Sequence, residues 1–182
     1  MKYIITESQY KLLTEDKEQK ILELPGLDYF GTWEALQKFL EKRGNPPYII
    51  EGDLDLKGAD ITSLGNLVSV SGNLDLFATP IKNLGNLVSV GGSLSLYKSK
   101  IESLGNLQSV GGYLDLQHTN IKSLGNLEYV GDDLLLYDTP IRDFGNLKYV
   151  GDSMDLYDTP ITGMYSIEYI RERIDIDGYI YM

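Results

Sequence analysis

The chain has 182 residues, no cysteine, one histidine and a formal net charge of −11 at pH 7. This length accommodates one domain or one short repeat array. The absence of cysteine excludes disulfides, thiolate metal sites and thiol nucleophiles, and a single histidine disfavours a histidine-based catalytic or zinc site.

The negative charge lies almost entirely in the second part of the chain. Residues 1–50 hold seven Lys and Arg against eight Asp and Glu, whereas residues 51–182 hold nine against nineteen. This distribution disfavours nucleic-acid binding, which needs a basic surface, and favours a basic partner or simply solubility. The chain start lacks a secretory signal, and no window is apolar enough for a membrane span. We therefore expect a cytoplasmic protein with no nucleic-acid or membrane partner.

Residues 1–50 predict a helical segment that covers the N-terminal end of the remaining chain. Residues 2–5 are a short apolar start, and a capping-box pattern at residues 6–9 precedes a first helix. A second helix is predicted from an N-cap at Thr32 to a stop at Gly44. Its apolar face carries Trp33, Leu36, Phe39 and Leu40. The other interpretation is that this segment is a targeting or partner-binding module.

The remainder repeats with a period of twenty residues. Full copies begin at Ile61, Ile81, Ile101, Ile121 and Ile141, a degenerate copy begins at Ile161, and half a copy precedes them. We call the five full copies the regular coils and number their positions 1 to 20 from the leading Ile. Self-similarity at a fixed period predicts a solenoid, in which each coil buries its apolar face against its neighbours.

The apolar positions predict the path of each coil. Positions 1, 4, 7 and 10 are spaced by three, which suits tight 3₁₀-like or extended turns, and positions 14 and 16 alternate as in a strand. In the degenerate copy the same columns hold Met164 and Ile167, and Ile174 with Ile176 as the strand pair. Glycines stand where the chain must turn before the strand, and positive φ is expected there. They are Gly91, Gly92, Gly111, Gly112, Gly131 and Gly151.

The pattern I-x-x-L-G-N-L-x-x-V-G-G-x-L-x-L-x-x-T-x resembles a leucine-rich repeat, whose core is LxLxxN/CxL. Its length and phasing are similar to the short bacterial repeats of the YopM and IpaH effectors, which have LPxLP where this chain has LGNL. The ubiquitin-ligase domain of IpaH proteins needs a cysteine, so that activity is not expected. The opening MKYIITESQ resembles the starts of tailed-phage proteins and implies a phage source. The Asn of the family's strand turn is replaced by Thr79, Ser99, Thr119, Thr139 and Thr159.

The resemblance implies an α/β fold: a leucine-rich-repeat solenoid with parallel strands on a concave face and short turns or 3₁₀ segments on a convex face. Residues 1–50 would form an N-terminal helical cap, as in YopM-like proteins. Residues 51–170 would form the solenoid of 20-residue repeats, and residues 171–182 a C-terminal capping segment.

Two columns of residues beside the strand leucines are the candidate partner-binding surface, because the resemblance places them on the concave face. The residues between the leucines include Asp55, Asp75, Asp115, Asp155 and Asp175. The residues flanking them include Phe77, Tyr97, Tyr113, Tyr137 and Tyr157. Stacked carboxylates repel by up to about 1 kcal/mol per exposed pair, so five in one column indicate a use, although repeat duplication alone would copy them. Exposed aromatics are typical of interface hot spots, although they can also pack laterally and only stiffen the sheet.

Other chemistry is not expected on this surface. The GGxLDL phrase lacks the nine-residue period of calcium-binding GGxGxD repeats, so no metal site is predicted. Equivalent aspartates in an open column lack the acid–base asymmetry of a glycosidase. His118 follows one strand only and is interpreted as a surface side chain. We therefore expect no enzyme activity and no cofactor.

The sequence thus favours a non-enzymatic protein-binding module that engages a basic partner protein through an acidic, aromatic concave face, as a phage or bacterial effector acting on a host factor. The alternative is a structural, self-associating module such as a virion or assembly component. The oligomeric state stays open.

Overall fold

The computed structural model describes residues 21–182, so the short apolar start and the first helix predicted within residues 1–20 lie outside the described residues. The strands are β1 (Leu22–Leu24), β2 (Tyr48–Ile50), β3 (Leu54–Asp55), β4 (Leu67–Val70), β5 (Leu74–Asp75), β6 (Ser89–Val90), β7 (Leu94–Ser95), β8 (Ser109–Val110), β9 (Leu114–Asp115), β10 (Tyr129–Val130), β11 (Leu134–Leu135), β12 (Tyr149–Val150), β13 (Met154–Asp155), β14 (Asp175–Ile176) and β15 (Ile180–Tyr181). The helices are α1 (Trp33–Glu41) and α2 (Ile167–Arg171), with 3₁₀ helices at Leu27–Tyr29 and Pro160–Gly163.

The strands form a parallel β-solenoid of about five turns with a spacing of about 20 residues. An eight-stranded sheet has the order β1-β2-β4-β6-β8-β10-β12-β14, and a seven-stranded sheet has the order β15-β13-β11-β9-β7-β5-β3. Each regular coil therefore supplies one strand to each sheet. In register, a residue pairs with its equivalent in the next coil, as Val90 does with Val110. The predicted period and the strand at positions 14 and 15 are thus present.

The second sheet was not predicted. Positions 9 and 10 were expected to belong to turns, but they pair in parallel with the neighbouring coils, as between β6 and β8. Such pairing satisfies the backbone groups of every coil against its neighbours, which a local turn does not do. Tight turns lie at positions 4 to 7, where the Leu87 N–H donates to the Leu84 carbonyl oxygen at 3.3 Å, and after the strand, where the Ser99 N–H donates to the Leu96 carbonyl oxygen at 2.9 Å.

The inward positions form one continuous core. Positions 1, 4, 7, 10, 14 and 16 are buried in all five regular coils, except for the half-buried Phe144. Each buried Leu, Ile or Val side chain stabilises the fold by about 1.5–3 kcal/mol. The hydroxyl of Thr119 is also buried and donates to the Leu116 carbonyl oxygen within its own coil at 2.6 Å. The four threonine hydroxyls at position 19 thus bond within their own coil, without linking one coil to the next, whereas the buried Ser99 hydroxyl has no partner in the described part of the chain.

Glycine occurs before the strand for a different reason from the one expected. Positive φ occurs at position 5, as at Gly105, and at position 18, as at His118, but not at Gly91 or Gly111. A Cβ on Gly111 would instead collide with the Gly91 carbonyl oxygen of the preceding coil. Close approach of successive backbones, and not turn conformation, therefore accounts for glycine at position 11 of the second to fifth regular coils, whereas the first has Ser71 there.

The last coil breaks the period. Tyr149 pairs with Asp175, and the Tyr179 N–H donates to the Ser153 hydroxyl at 3.2 Å across a separation of 26 residues. The predicted alignment of Ile174 and Ile176 with the strand leucines is therefore wrong. Helix α2 occupies the added length, and Met164 and Ile167, expected inside, are 48% and 39% exposed.

Helix α1 lies between β1 and β2, which pair in parallel. The Thr32 hydroxyl accepts from the Ala35 N–H at 3.2 Å, so the predicted N-cap is confirmed. The helix buries Trp33, Leu36 and Leu40 in the core.

Candidate functional site

The outer face of the seven-stranded sheet carries the predicted site residues, with one exception. Positions 13, 15 and 17 point away from the core because they alternate with the buried positions 14 and 16. Position 15 holds Asp55, Asp75, Asp115 and Asp155, which we call the Asp column. Position 17 holds Phe77, Tyr97, Tyr137 and Tyr157, and position 13 holds Tyr113.

Asp175 does not belong to the Asp column. It lies in β14 of the eight-stranded sheet, opposite Tyr149, and the residue beside Asp155 in the seven-stranded sheet is Tyr181. The six extra residues of the last coil shift the register, so the column ends in a tyrosine. The sequence contained the signal for this shift, because residues 177–182, DGYIYM, match GGYLDL at residues 111–116.

The Asp column is not a continuous stack of carboxylates. The partner of Asp75 on one side is Asp55, and on the other it is Ser95. Asp115 lies between Ser95 and Leu135. Only Asp55 and Asp75 are therefore direct neighbours, and the repulsion from which a use was inferred is limited to that pair.

The aspartates of this column stabilise the chain that leaves each strand. Asp75 Oδ1 accepts from the Phe77 N–H at 2.8 Å, and Asp115 Oδ1 accepts from the Gln117 N–H at 3.0 Å. The same bond recurs at Asp55 and Asp155. This is the local carboxylate-to-backbone turn that aspartate favours. A structural role therefore accounts for aspartate at this position.

One carboxyl group of the Asp column, that of Asp115, has a raised pKa. Burial raises the pKa of its carboxyl group, against the opposing effects of the Gln117 N–H and of His118. The apolar Leu135 lies opposite Asp115 on the adjacent strand. Asp115 is thus a partly desolvated carboxylate and not an open charge.

An aromatic row runs across the middle coils. The rings of Phe77 and Tyr97 stack with centroids 5.6 Å apart, and His118 packs edge-on between Tyr97 and Tyr137 at 5.3 Å from each. His118 was expected to be a surface side chain, and the structure places its ring in the row, where the aromatic column has Gln117. Its Nδ1 also contacts Asp138 Oδ2 at 2.8 Å. Lateral packing therefore accounts for much of the row, and Tyr157, at 51% exposed, is its most open ring.

The two halves of the row differ in charge. The Lys57 Nζ lies 4.8 Å from the centroid of the Phe77 ring, and the Lys98 Nζ lies 5.0 Å from that of Tyr97. At the other half, the negative charge of Asp158 is the main cause of a raised pKa at Tyr137, followed by burial. Beside this half runs an open groove of about 490 Å³, whose lining includes Asp138 and Asp158.

Tyr113 interrupts a ladder of hydrogen bonds at position 13. The Asn73 N–H donates to Asp53 Oδ1 at 2.7 Å, and the Ser93 N–H donates to Asn73 Oδ1 at 2.8 Å. The Tyr113 N–H closes this run on the Ser93 hydroxyl at 3.2 Å. A tyrosine at this position gives up that acceptor role and instead presents an exposed ring beside Asp115.

One acidic group lies close enough to share a cation. Within residues 21–182, carboxylate oxygens of Asp132, Asp133 and Asp152 lie within 4.8 Å of one another. Two of these carboxylates already accept hydrogen bonds from Ser153. We assign no metal site to this cluster.

Comparison with protein-family models, with curated proteins and with solved structures found no match. The likeness to leucine-rich repeats therefore rests on the repeat pattern itself. None of the helices in the described part of the chain has the length and apolar character to cross a membrane.

Proposed function

We propose that the chain is a non-enzymatic binding module, which holds a basic segment of a partner protein on the outer face of its seven-stranded sheet. The partner would contact the part of the face formed by the fourth and fifth regular coils. We define this acidic half by Tyr137, Asp138, Asp155, Tyr157 and Asp158.

The division of charge along the aromatic row carries this proposal. In the other half of the row, lysines of the chain itself already lie over the rings of Phe77 and Tyr97. Among the described residues, no such cation contact is found at Tyr137 or Tyr157. The carboxylates of Asp138, Asp155 and Asp158 act on Tyr137, and Tyr157 precedes Asp158 in the chain. A lysine or arginine of a partner can therefore take at Tyr137 and Tyr157 the place that the chain's own lysines take at Phe77 and Tyr97.

The expected binding energy is moderate. An exposed cation–π contact contributes about 0.5–1 kcal/mol, and an exposed ion pair about 0.2–1 kcal/mol. The acidic half offers two rings, three carboxylates and the groove beside them. The interaction should therefore be salt-sensitive, and adequate for recognising a basic loop but not for tight binding through charge alone.

We propose further that the fold is a leucine-rich repeat of the short bacterial type, with α1 as its N-terminal cap. The burial of Trp33, Leu36 and Leu40 at the start of the solenoid supports the cap. If the phage-like start of the chain reflects its source, the partner would be a host factor, met in the host cytoplasm.

The test compares three baits in a pull-down from candidate host lysate, read by mass spectrometry. The baits are the wild type, an Asp138→Asn/Asp158→Asn variant and an Asp28→Asn/Asp60→Asn control, which removes the same charge from exposed positions of the N-terminal coils. Changing Asp75, Asp115 or Asp155 would be a poorer test, because these carboxylates accept backbone hydrogen bonds.

A partner held by the wild type and the control, and bound about 2- to 30-fold more weakly by the Asp138/Asp158 variant, supports the proposal. Its affinity should fall with salt. Equal capture by all three baits would contradict the assignment to the acidic half, and enzymatic turnover lost in the Asp138/Asp158 variant would contradict the non-enzymatic role.

A further inference from the structure

The charge at position 18 changes sign along the solenoid. In the second to fifth regular coils this position holds, in order, Lys98, His118, Asp138 and Asp158. Lys98, Asp138 and Asp158 are exposed, and the half-buried His118 contacts the Asp138 carboxylate at 2.8 Å. A column that is basic at one end and acidic at the other is complementary to a second copy of itself laid in the opposite direction.

One symmetric arrangement brings these opposite ends together. In it, a two-fold axis runs parallel to the strands, between the third and fourth regular coils, and the two copies meet by the outer faces of their seven-stranded sheets. Each position of the second coil then lies opposite the same position of the fifth coil of the other copy, so Lys98 meets Asp158. Within residues 21–182 neither of these side chains forms an ion pair. Both charges therefore gain a partner, twice in each dimer.

The Asp column favours this position of the axis. At position 15 the facing pairs across the axis are Asp155 with Ser95, Asp115 with Leu135, and Asp75 with Tyr181. Asp55 lies beyond the last strand of the other copy. No carboxylate of the column therefore faces another. An axis moved by half a coil, onto the third coil, would instead place Asp115 opposite its own equivalent and Asp75 opposite Asp155.

The other outward positions are also free of facing like charges. At position 13 the facing pairs are Ser93 with Ser153, Tyr113 with Asp133, and Asn73 with Tyr179. At position 17 they are Tyr97 with Tyr157 and Gln117 with Tyr137. Tyr157, the most open ring of the aromatic row at 51% exposed, thus gains a second ring as its neighbour. Tyrosines covered in this way are typical of interface hot spots.

The groove of about 490 Å³ beside the acidic half is filled in the same arrangement. Its lining includes Pro140 and Pro160, at position 20. The residues opposite these prolines are Asn120 and Lys100 of the other copy. The Lys100 side chain therefore enters the groove close to Asp158 and adds a second cation to the acidic half.

The overlap is large enough for a weak dimer. Six strands of the seven-stranded sheet, β5 to β15, face each other. At about 4.8 Å per strand and about 17 Å along positions 13 to 18, each copy contributes roughly 500 Å². The total of roughly 1,000 Å² reaches the lower limit of specific interfaces. At about 0.15 M salt, charges more than about 8 Å apart are largely screened, so the facing pairs outweigh the net charge of −11.

We infer that the basic partner of the acidic half is a second copy of this chain, and that the protein forms a two-fold dimer in which Lys98 of each copy pairs with Asp158 of the other. This inference rests on the proposed function, because it names the partner of the same site. A two-fold contact uses the same surface on both copies and therefore stops at a dimer.

The test is sedimentation velocity at micromolar concentrations with the wild type, Lys98→Asp, Asp158→Lys and an equimolar mixture of these two variants. Lysine and aspartate both already occur at position 18 with positive φ, 57° at Lys98 and 54° at Asp158, so both variants should fold. Thermal unfolding verifies this. Lys38→Glu and Asp28→Lys are the controls, because they change the charge by the same amounts at exposed residues outside the overlap.

We expect the wild type and both controls to form dimers. Each swapped variant alone should associate about tenfold or more weakly, because Lys98→Asp faces a native aspartate and Asp158→Lys faces a native lysine. The mixture should regain the dimer, because both facing pairs are then of opposite charge. A wild type that stays monomeric, a dimer unchanged in both variants, or a mixture that stays monomeric would overturn the inference.

A fluorescent hexalysine peptide, measured by anisotropy, separates this inference from the proposed function. A monomeric wild type that binds the peptide, with binding weakened in the Asp138→Asn/Asp158→Asn variant, would overturn the dimer and keep the acidic half as a site for a basic partner. A monomeric wild type that does not bind the peptide would contradict both. A dimer that dissociates as the peptide is added supports both.

Discussion

The regular coils and the last coil carry the same apolar columns but use them differently. Leu124 and Leu127 at positions 4 and 7 of the fourth coil are fully buried, whereas Met164 and Ile167 at the matching places of the last coil are 48% and 39% exposed. The chain needs twenty residues to return to register in the regular coils and 26 in the last one. The spacing of the apolar residues alone therefore does not determine how many residues a coil contains.

The two regions also differ in their glycines. In the regular coils Gly111, Gly131 and Gly151 each let the backbone touch the carbonyl of the coil before. The last coil has Arg171 at the equivalent position, where a side chain would collide, and the chain instead continues through α2. The close approach resumes at Gly178, whose N–H donates to the Asp152 carbonyl oxygen at 3.0 Å. The strand pairing is already in register before this glycine, at Asp175 and Ile176.

The largest expected effect on stability comes from truncating the side chain at position 7, once in a regular coil and once in the last coil. Leu127→Ala should lower the free energy of unfolding by about 2–5 kcal/mol, because it leaves a cavity in a closed core. Ile167→Ala should cost less than about 1 kcal/mol, because the side chain is already in contact with solvent. Urea unfolding followed by circular dichroism measures both, and similar losses in the two variants would mean that the last coil is packed like the others.

A smaller effect on stability is expected when a glycine of a regular coil and one of the last coil are each changed to alanine. Gly111→Ala should destabilise the fold by about 1–3 kcal/mol, because its Cβ would meet the Gly91 carbonyl group and the two coils would have to separate. Gly163→Ala is the matched control, since a Cβ there meets no atom within 4 Å. The same unfolding experiment tests this, and a neutral Gly111→Ala would remove backbone contact as the cause of the period.

The sequence predicted the features that arise from repetition and missed those that depend on contacts between coils. Periodicity alone gives the solenoid, the buried columns and the outward direction of Asp75 or Tyr137. The strand at positions 9 and 10 gave no such signal, because a single buried Val on a two-residue strand does not show alternation. His118 stands at position 18, next to the aromatic column at position 17, and its backbone has a left-handed φ of 56°. The repeat spacing alone does not show that its ring joins the row. Asp175 was misplaced because Ile174 and Ile176 reproduce the strand spacing by coincidence.

The smallest expected effect is a pH dependence of stability that arises in the Asp column. In the last coil this column ends in Tyr181, and in the regular coils it includes Asp115, whose carboxyl group is desolvated. The raised pKa means that folded Asp115 holds its proton to higher pH than the unfolded chain, so its contribution is full below the ordinary aspartate pKa and is lost as pH rises through the folded value. Relative to Asp115→Asn, which keeps an oxygen for the Gln117 N–H, the wild type should therefore lose stability from acid to neutral pH.

Asp143 is the opposite control, because hydrogen bonds from the Ser123 hydroxyl and the Gly145 N–H lower the pKa of its carboxyl. The difference between wild type and Asp143→Asn should rise over the same range, and equal slopes for the two variants in urea titrations at several pH values would show that burial does not govern Asp115.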